Sequence, residues 1–249
     1  MMILLLSEVV FASSGAEEPK EMNWPFDGMT GKFDYESIQR GFKVYKEVCS
    51  ACHSVRLLAF RHLEQIGFSG QQVKSLAGEY DIQDGPNDNG DMFKRPGRPS
   101  DQIPGPFAND KAARASNNGA LPPDLSLIIK AREGGANYVY SLLTGFQDPP
   151  AGFKLGENMH YNPYFTGGQI AMTPPLVSEG QVTFDDGTKP TIDQMAYDVV
   201  NFLQWAAEPE MQERKSLGLR VLIFVGILIV LSWLANKAIW SNLKKKRDE

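Results

Sequence analysis

Apolar positions fall at helical spacing in two stretches of this chain. From Asp34 to Cys49, residues Ile38, Phe42, Tyr45 and Val48 share one face, and Asp34 stands where an N-cap belongs. From Thr191, residues Met195, Val199, Phe202, Leu203 and Ala206 share a face, and Pro209 marks the end. Thr191 and Gln194 have the spacing of a capping box. Between these stretches the pattern is broken. Residues 67–123 and 144–190 read as irregular, and short helices are expected at Leu125–Arg132 and Tyr138–Leu143. We find no internal repeat.

A third apolar stretch has no polar face. Val221–Ala235 is interrupted only by Ser232, and Leu217–Leu219 and Ala238–Trp240 extend it to about two dozen residues. Arg220 and Lys237 stand near its ends, where long basic side chains reach toward headgroups. Trp233 and Trp240 suit the interfacial zone. A buried C-terminal helix is the competing reading, but charges flank both sides, so a single membrane span is expected. Lys244, Lys245, Lys246 and Arg247 follow it and place the C-terminus in the cytoplasm by the positive-inside rule. At the other end, residues 1–16 are an apolar run closing in small residues, as at the end of an export leader. No basic residue precedes that run and Glu8 interrupts it, so the match is imperfect.

Composition narrows the class. The 249 residues are 42% apolar and 22% charged, an ordinary globular mix, and 23 Gly with 16 Pro favour a loop-rich fold. From Gln212 onward there are eight Lys/Arg and three Asp/Glu, which leaves 17 basic against 27 acidic residues in 1–211. An acidic body is unsuited to nucleic acid and suited to a basic protein partner. The segment from Gly78 to Asp91 holds Glu79, Asp81, Asp84, Asp88 and Asp91 with no Lys or Arg, so it is a candidate for that docking field, the alternative being a solvated loop.

The chemistry centres on Cys49-Ser50-Ala51-Cys52-His53. C-x-x-C-H is the attachment pattern of c-type haem: two thioethers form along one porphyrin edge and the next histidine meets the iron. A thioredoxin-like pair would follow a strand in an α/β pattern, and zinc would need further ligands; neither context is present. One such motif implies one covalent haem c. On residues alone the opposite iron position stays open among Met172, His160, another methionine and no ligand. Met172 leads, in a loop stiffened by Pro174-Pro175 and opened by Gly167-Gly168. His62 is too near His53 to reach the other face and reads as a surface or propionate-side residue.

Six stretches carry a resemblance: GFKVYKEVCSACHS at 41–54, RPGRPSDQIPGPFAND at 95–110, AARASNNGALPPDLSLIIKAREGG at 112–135, YVYSLLTGF at 138–146, YNPYFTGGQIAM at 161–172 and DVVNFLQWAAEPE at 198–210. In these the chain resembles the cytochrome c1 family, the haem subunits of cytochrome bc1 complexes. The resemblance implies that Cys49 and Cys52 hold the haem, that His53 and Met172 are its proximal and distal ligands, and that Arg114 lies near a propionate. It also implies that the N-terminal helix and the 191–207 helix pack together behind the haem. Some bacterial relatives carry an extra cysteine pair, which this chain lacks.

The expected fold is therefore all-α: a loop-rich c-type cytochrome domain over 17–211, after a leader at 1–16. A linker and single transmembrane helix follow at 212–243, then a basic tail at 244–249. The implied function is one-electron transfer from a Rieske iron–sulfur protein to soluble cytochrome c, within ubiquinol–cytochrome c oxidoreductase and beside a cytochrome b that binds the quinol. The expected location is the bacterial inner membrane, with the haem domain in the periplasm. The rivals are another membrane-anchored cytochrome c carrier or oxidase subunit, and a haem enzyme or gas sensor with an open iron position.

Overall fold

Asp34 has extended backbone, and its carboxylate accepts from the Ser37 N–H at 3.2 Å. This cap starts helix α1, Tyr35–Glu47. The computed structural model describes residues 15–245, so most of the leader and the end of the basic tail lie outside the described residues. Along the chain α1 is followed by α2 (Gly70–Gly78), strands β1 (Asp81–Asp84) and β2 (Phe93–Pro96), and α3 (Asp110–Ser116). Then come α4 (Gly135–Thr144), strands β3 (His160–Tyr161) and β4 (Gln169–Ile170), α5 (Ile192–Ala207) and α6 (Met211–Lys245). Two short 3-10 segments, Cys49–Ala51 and Phe60–Ile66, complete the order. The architecture is helical and loop-rich, as expected, with two small antiparallel ribbons, β1–β2 and β3–β4.

The described chain forms two units. The first comprises residues 15–23 and 34–207. Its core is the pairing of α1 with α5, the packing that the resemblance implies. Ile38, Phe42, Val44 and Tyr45 of α1 are buried against an α5 in which Met195, Val199, Phe202, Leu203 and Ala206 are all buried. Phe202 is the hub, with ring centroids 5.5 Å from Phe42, 5.6 Å from Tyr45 and 5.9 Å from Trp205. Each buried ring of this kind stabilises the fold by roughly 1.5–3 kcal/mol. An ion pair sits inside the same contact. Arg40 donates to Asp198 at 2.8 and 3.0 Å and to Asp186 at 2.7 Å, and the Ser37 hydroxyl donates to Asp198 at 2.7 Å. Burial alone would lower the Arg40 pKa, but its two carboxylate partners outweigh it and hold it above the ordinary value. α4 packs on α5, and the Tyr140 hydroxyl donates to Asp193 at 3.1 Å.

Three expectations need correction. Residues 67–123 are not uniformly irregular: they contain α2, the β1–β2 hairpin and α3. Leu125–Arg132 is a run of turns rather than a helix, its N–H groups at Ile128 and Lys130 bonding three residues back, to the Leu125 and Leu127 carbonyls. Only half of the α5 capping box forms. Gln194 N–H donates to the Thr191 hydroxyl at 3.1 Å, while the Thr191 N–H goes to the Lys189 carbonyl.

The second unit comprises residues 24–33 and 208–245. Trp24 stacks on Phe26 at 5.5 Å, and Trp24, Phe26, Phe33 and Met211 are buried. The Phe33 N–H donates to the Gln212 side chain at 3.3 Å, and the Lys215 ammonium donates to the Phe26 carbonyl. α6 is one unbroken helix of 35 residues, so 212–220 is helical. At 1.5 Å per residue it is about 52 Å long, more than the roughly 30 Å of a bilayer core. Its apolar side chains stay exposed, Leu222, Phe224 and Ile229 above 60%. It is the described helix long and apolar enough to cross a membrane.

Candidate functional site

The Cys-Cys-His motif is an extension of α1. The helix ends at Glu47, and the chain passes through Val48 into the Cys49–Ala51 3-10 turn. The Cys52 and His53 N–H groups both donate to the Cys49 carbonyl, at 3.1 and 2.9 Å. The Ser50 hydroxyl donates back to the Lys46 carbonyl at 2.7 Å. Both sulfurs and the imidazole therefore leave one tight turn. The two thiols are free of disulfide; Cys52 is exposed and Cys49 half-buried. Burial, and after it the Cys52 charge, pushes the Cys49 thiol up to about 12.

His53 is oriented from two sides. Its Nδ1 lies 2.8 Å from the Pro123 carbonyl oxygen. A carbonyl only accepts, so Nδ1 carries the proton and Nε2 keeps its lone pair, the tautomer a metal-binding histidine needs. Burial depresses the His53 pKa, against the opposing pull of the Pro123 bond and the Asp124 charge. Behind it, the buried Tyr45 hydroxyl donates to the His53 carbonyl at 3.1 Å. Burial raises the Tyr45 pKa, keeping that hydroxyl protonated.

The segment bearing Pro123 docks onto the residues after His53. Asp124 accepts from the Ser54 hydroxyl at 2.7 Å and from the Arg56 and Ser126 N–H groups at 2.9 Å each. The Ser126 hydroxyl accepts from the Leu57 N–H at 3.1 Å. Burial works against ionisation of Asp124, but these bonds outweigh it and hold its pKa below the ordinary value. The sequence marks Tyr45 only as a core position of the first helix and gives Pro123 and Asp124 no role at the site. The one available signal was Asp124-Leu125-Ser126, the spacing of an Asx turn.

Met172 sits on a separate loop, half-buried, two residues beyond β4. The β3–β4 ribbon pairs His160 with Ile170 and Tyr161 with Gln169. Gly168 has φ of 72°, and a Cβ there would press on the Phe153 and Tyr161 rings at 3.1–3.2 Å. Past Met172, Gln181 donates to the Pro175 carbonyl at 2.9 Å and accepts from the Val177 N–H at 3.0 Å. The loop is thus held at both ends. His160 belongs to the ribbon. His62 is half-buried and its Nδ1 accepts from the Ala59 N–H.

Arg114 is exposed on α3 and donates to the Gly119 carbonyl at 3.0 Å, closing its own turn. The structure thus gathers Cys49, Cys52, His53, Pro123 and Asp124 into one assembly, while Met172 and Arg114 are carried by local bonds of their own. Among the described residues no group of three or more His, Cys, Asp or Glu is arranged to hold a metal ion. One turn presenting two thiols and an Nε2 lone pair fits a covalently attached haem.

Comparison with known proteins agrees. Residues 24–243 match the Cytochrome C1 family. The chain is similar to "Cytochrome c1" of Rhodospirillum rubrum, 46% identical over 98% of this chain and 95% of that protein. It is similar to "Cytochrome c1 1, heme protein, mitochondrial" of Arabidopsis thaliana, 47% identical over 95% and 76%. It is also similar to "Cytochrome b-c1 complex catalytic subunit, mitochondrial" of Candida albicans, 46% identical over 98% and 84%. With its C-x-x-C-H turn, its α1–α5 core and its C-terminal apolar helix, the chain belongs to the cytochrome c1 family.

Proposed function

We propose that this chain is the haem-bearing electron-transfer subunit of a ubiquinol–cytochrome c oxidoreductase, a cytochrome bc1 complex. It carries one haem c, attached through Cys49 and Cys52, with His53 and Met172 as iron ligands and Arg114 beside a propionate. The observation that carries this reading is the 2.8 Å bond from His53 Nδ1 to the Pro123 carbonyl, beside two thiols in the same turn. It fixes the imidazole with Nε2 ready for iron. The haem supplies a one-electron couple; the chain's residues hold it, orient the histidine and tune the iron. With Met172 and His53 both bound, the thioether would stabilise Fe(II) and raise the potential, which suits a late position in a quinol-oxidising chain.

The electron arrives from a Rieske iron–sulfur protein and leaves to a soluble cytochrome c. Alone, the chain is an electron carrier; with cytochrome b and the Rieske protein it is part of the oxidoreductase. α6 is its membrane span, with the haem domain on the periplasmic face of a bacterial inner membrane and the basic end in the cytoplasm. The test is purification of the full chain from its own membranes. Covalent haem that survives denaturation, together with co-purifying cytochrome b and Rieske protein, is expected. Replacing Met172 by Leu should keep the haem attached, lower the potential markedly and admit carbon monoxide; an unchanged low-spin spectrum and potential in that variant would reject Met172.

A further inference from the structure

Asp124 occupies an unusual position for a carboxylate. Its carboxylate makes no hydrogen bond to the His53 ring, yet it ties the chain leaving His53 to the chain leaving Pro123, whose carbonyl holds that ring. Its Oδ2 accepts from the Ser54 hydroxyl and the Arg56 N–H, on the chain leaving His53. Its Oδ1 accepts from the Ser126 N–H, on the chain leaving Pro123. The Leu125 N–H donates to the Ser54 carbonyl at 2.8 Å, and the Leu57 N–H to the Ser126 hydroxyl at 3.1 Å. Four of these bonds lock residues 54–57 to residues 124–126 and the fifth closes the turn at Asp124, and the Pro123 carbonyl is left aimed at His53 Nδ1. Pro123 has no N–H and a fixed φ, so its carbonyl direction is set largely by what holds the residue after it. Ser54 is buried, Ser126 is fully buried, and a Cβ at Gly105 would press on the Ser54 Cβ at 3.0 Å, so the lock has little room to shift.

We propose that Asp124 is a positioning residue for the haem iron: by clamping segment 124–126 to segment 54–57 it aims the Pro123 carbonyl at His53 Nδ1 and thereby sets the donor strength of Nε2. This rests on His53 being the proximal ligand. A strong bond at Nδ1 gives the ring partial imidazolate character, which favours Fe(III) over Fe(II). Loosening it favours Fe(II).

The experiment compares the complex carrying wild-type chain, Asp124→Asn, and the paired change Ser54→Ala with Ser126→Ala. Covalent haem, the low-spin spectrum and the midpoint potential are read for each. Losing an outer partner costs a metal site about tenfold in affinity at the low end. If the loss falls on Fe(III), the Fe(II)/Fe(III) ratio at fixed ambient potential rises about tenfold, which is about 59 mV upward for one electron. Asp124→Asn should show that rise with the low-spin spectrum intact. The paired serine change removes bonds and no charge, and should move the potential in the same direction by less. An unchanged potential in Asp124→Asn overturns the proposal. So does a rise in Asp124→Asn with none in the serine pair, because removal of a nearby charge then explains everything. A His53→Gly chain separates the two levels. If it keeps the wild-type low-spin spectrum, the ligand reading itself fails; if it loses that spectrum while Asp124→Asn leaves the potential unmoved, only the positioning role fails.

Discussion

Gly41 of α1 lies directly against the backbone carbonyl of Asp198 in α5. A Cβ at Gly41 would overlap that carbonyl and reach 2.8 Å from the Phe202 Cβ. At this point the two core helices meet as a glycine against backbone, and neither side can yield without the helices separating. The ring contacts of Phe202 with Phe42 and Tyr45 depend on that distance. Tyr45 in turn bonds the His53 carbonyl, so the helix crossing reaches the haem-attachment turn through one residue.

Gly41→Ala should consequently cost more than an ordinary glycine-to-alanine change in a helix, which is favourable by about 1 kcal/mol where space allows. Overpacking costs typically about 1–3 kcal/mol, and a clash with backbone belongs at or beyond the upper end. Thermal unfolding of the purified complex and the yield of covalently haem-stained chain are the readouts. A variant as stable as wild type would show that the helices can part freely.

Asp198 is fully buried and held by Arg40 and the Ser37 hydroxyl. Removing one partner of a buried pair strands the other charge, at a cost of about 3–5 kcal/mol. Arg40→Ala, which strands the buried Asp198, should lose that much; Asp198→Ala should lose less, because Arg40 keeps Asp186 at 2.7 Å, and replacing Arg40 and Asp198 together by apolar residues should recover a large part of the Arg40→Ala loss. Denaturant midpoints across this cycle decide the matter; additive losses would mean that Arg40 and Asp198 do not act as a pair.

Acid sensitivity follows from carboxylates held at low pKa. The Arg95 side-chain bond is the largest cause holding Asp101 down to about 2, and the Thr188 backbone bond, followed by Arg40, does the same for Asp186. An unfolded aspartate titrates near 3.9, so both are depressed on folding. Their contribution is complete above about pH 4 and is lost as pH falls toward 2. Asp101→Asn should lower stability at neutral pH and flatten the acid limb, the two proteins converging near pH 2. Parallel profiles of unfolding temperature against pH would rule out this pairing as a source of acid sensitivity.

The acidic segment 78–91 divides once the structure is known. Glu79 pairs with Lys46 at 2.7 Å and Asp84 with Arg95, while Asp81, Asp88 and Asp91 are exposed. Compensated charges contribute little to a long-range field. Neutralising Asp81, Asp88 and Asp91 together should slow reduction of a basic cytochrome c at low salt, where the Debye length is about 30 Å at 0.01 M, and matter less at about 8 Å. Neutralising Glu79 and Asp84 should have a smaller kinetic effect. Equal rates for both variants across a salt series would assign docking to other acids.

Periodicity exposed the long elements because their buried faces repeat: Ile38, Phe42 and Tyr45 in α1, and Met195, Val199, Phe202 and Leu203 in α5, are buried as read. α2 was illegible to that test, since nine residues bounded by Gly70 and Gly78 bury only Val73, Leu76 and Ala77. Its one local signal is the Ser69–Gln72 capping box, which the structure forms. Leu125, Ile128 and Ile129 have helical spacing and are buried, yet the segment closes in three-residue turns, Ile128 N–H to the Leu125 carbonyl and Lys130 N–H to the Leu127 carbonyl, so the same apolar spacing serves turns. At the site, Cys49, Cys52 and His53 were legible because their chemistry is local. Pro123 and Asp124 act through a backbone carbonyl and a carboxylate some 70 residues away, and no spacing rule records that.

The second unit bears on where the anchor can be cut. Met211 is buried, Gln212 accepts from the Phe33 N–H and Lys215 donates to the Phe26 carbonyl, all before the apolar run begins at Leu217. The first turns of α6 thus hold segment 24–33, whereas the side chains from Leu217 to Trp240 are exposed and, apart from Arg220, Ser232, Asn236 and Lys237, apolar, a surface that water does not tolerate. Each central Leu, Ile, Phe or Val favours insertion by roughly 0.3–0.6 kcal/mol, so membrane affinity resides in the later part of the helix. A chain ending after Ser216 should leave the membrane fraction under a high-salt wash while keeping its covalent haem. A chain ending after Met211 should also leave it, but unfold at a lower temperature, because the Gln212 and Lys215 bonds are gone. Retention of the Ser216 chain in washed membranes would mean that a second surface binds the bilayer. Equal unfolding temperatures for the two would mean that Gln212 and Lys215 add nothing to the hold on segment 24–33.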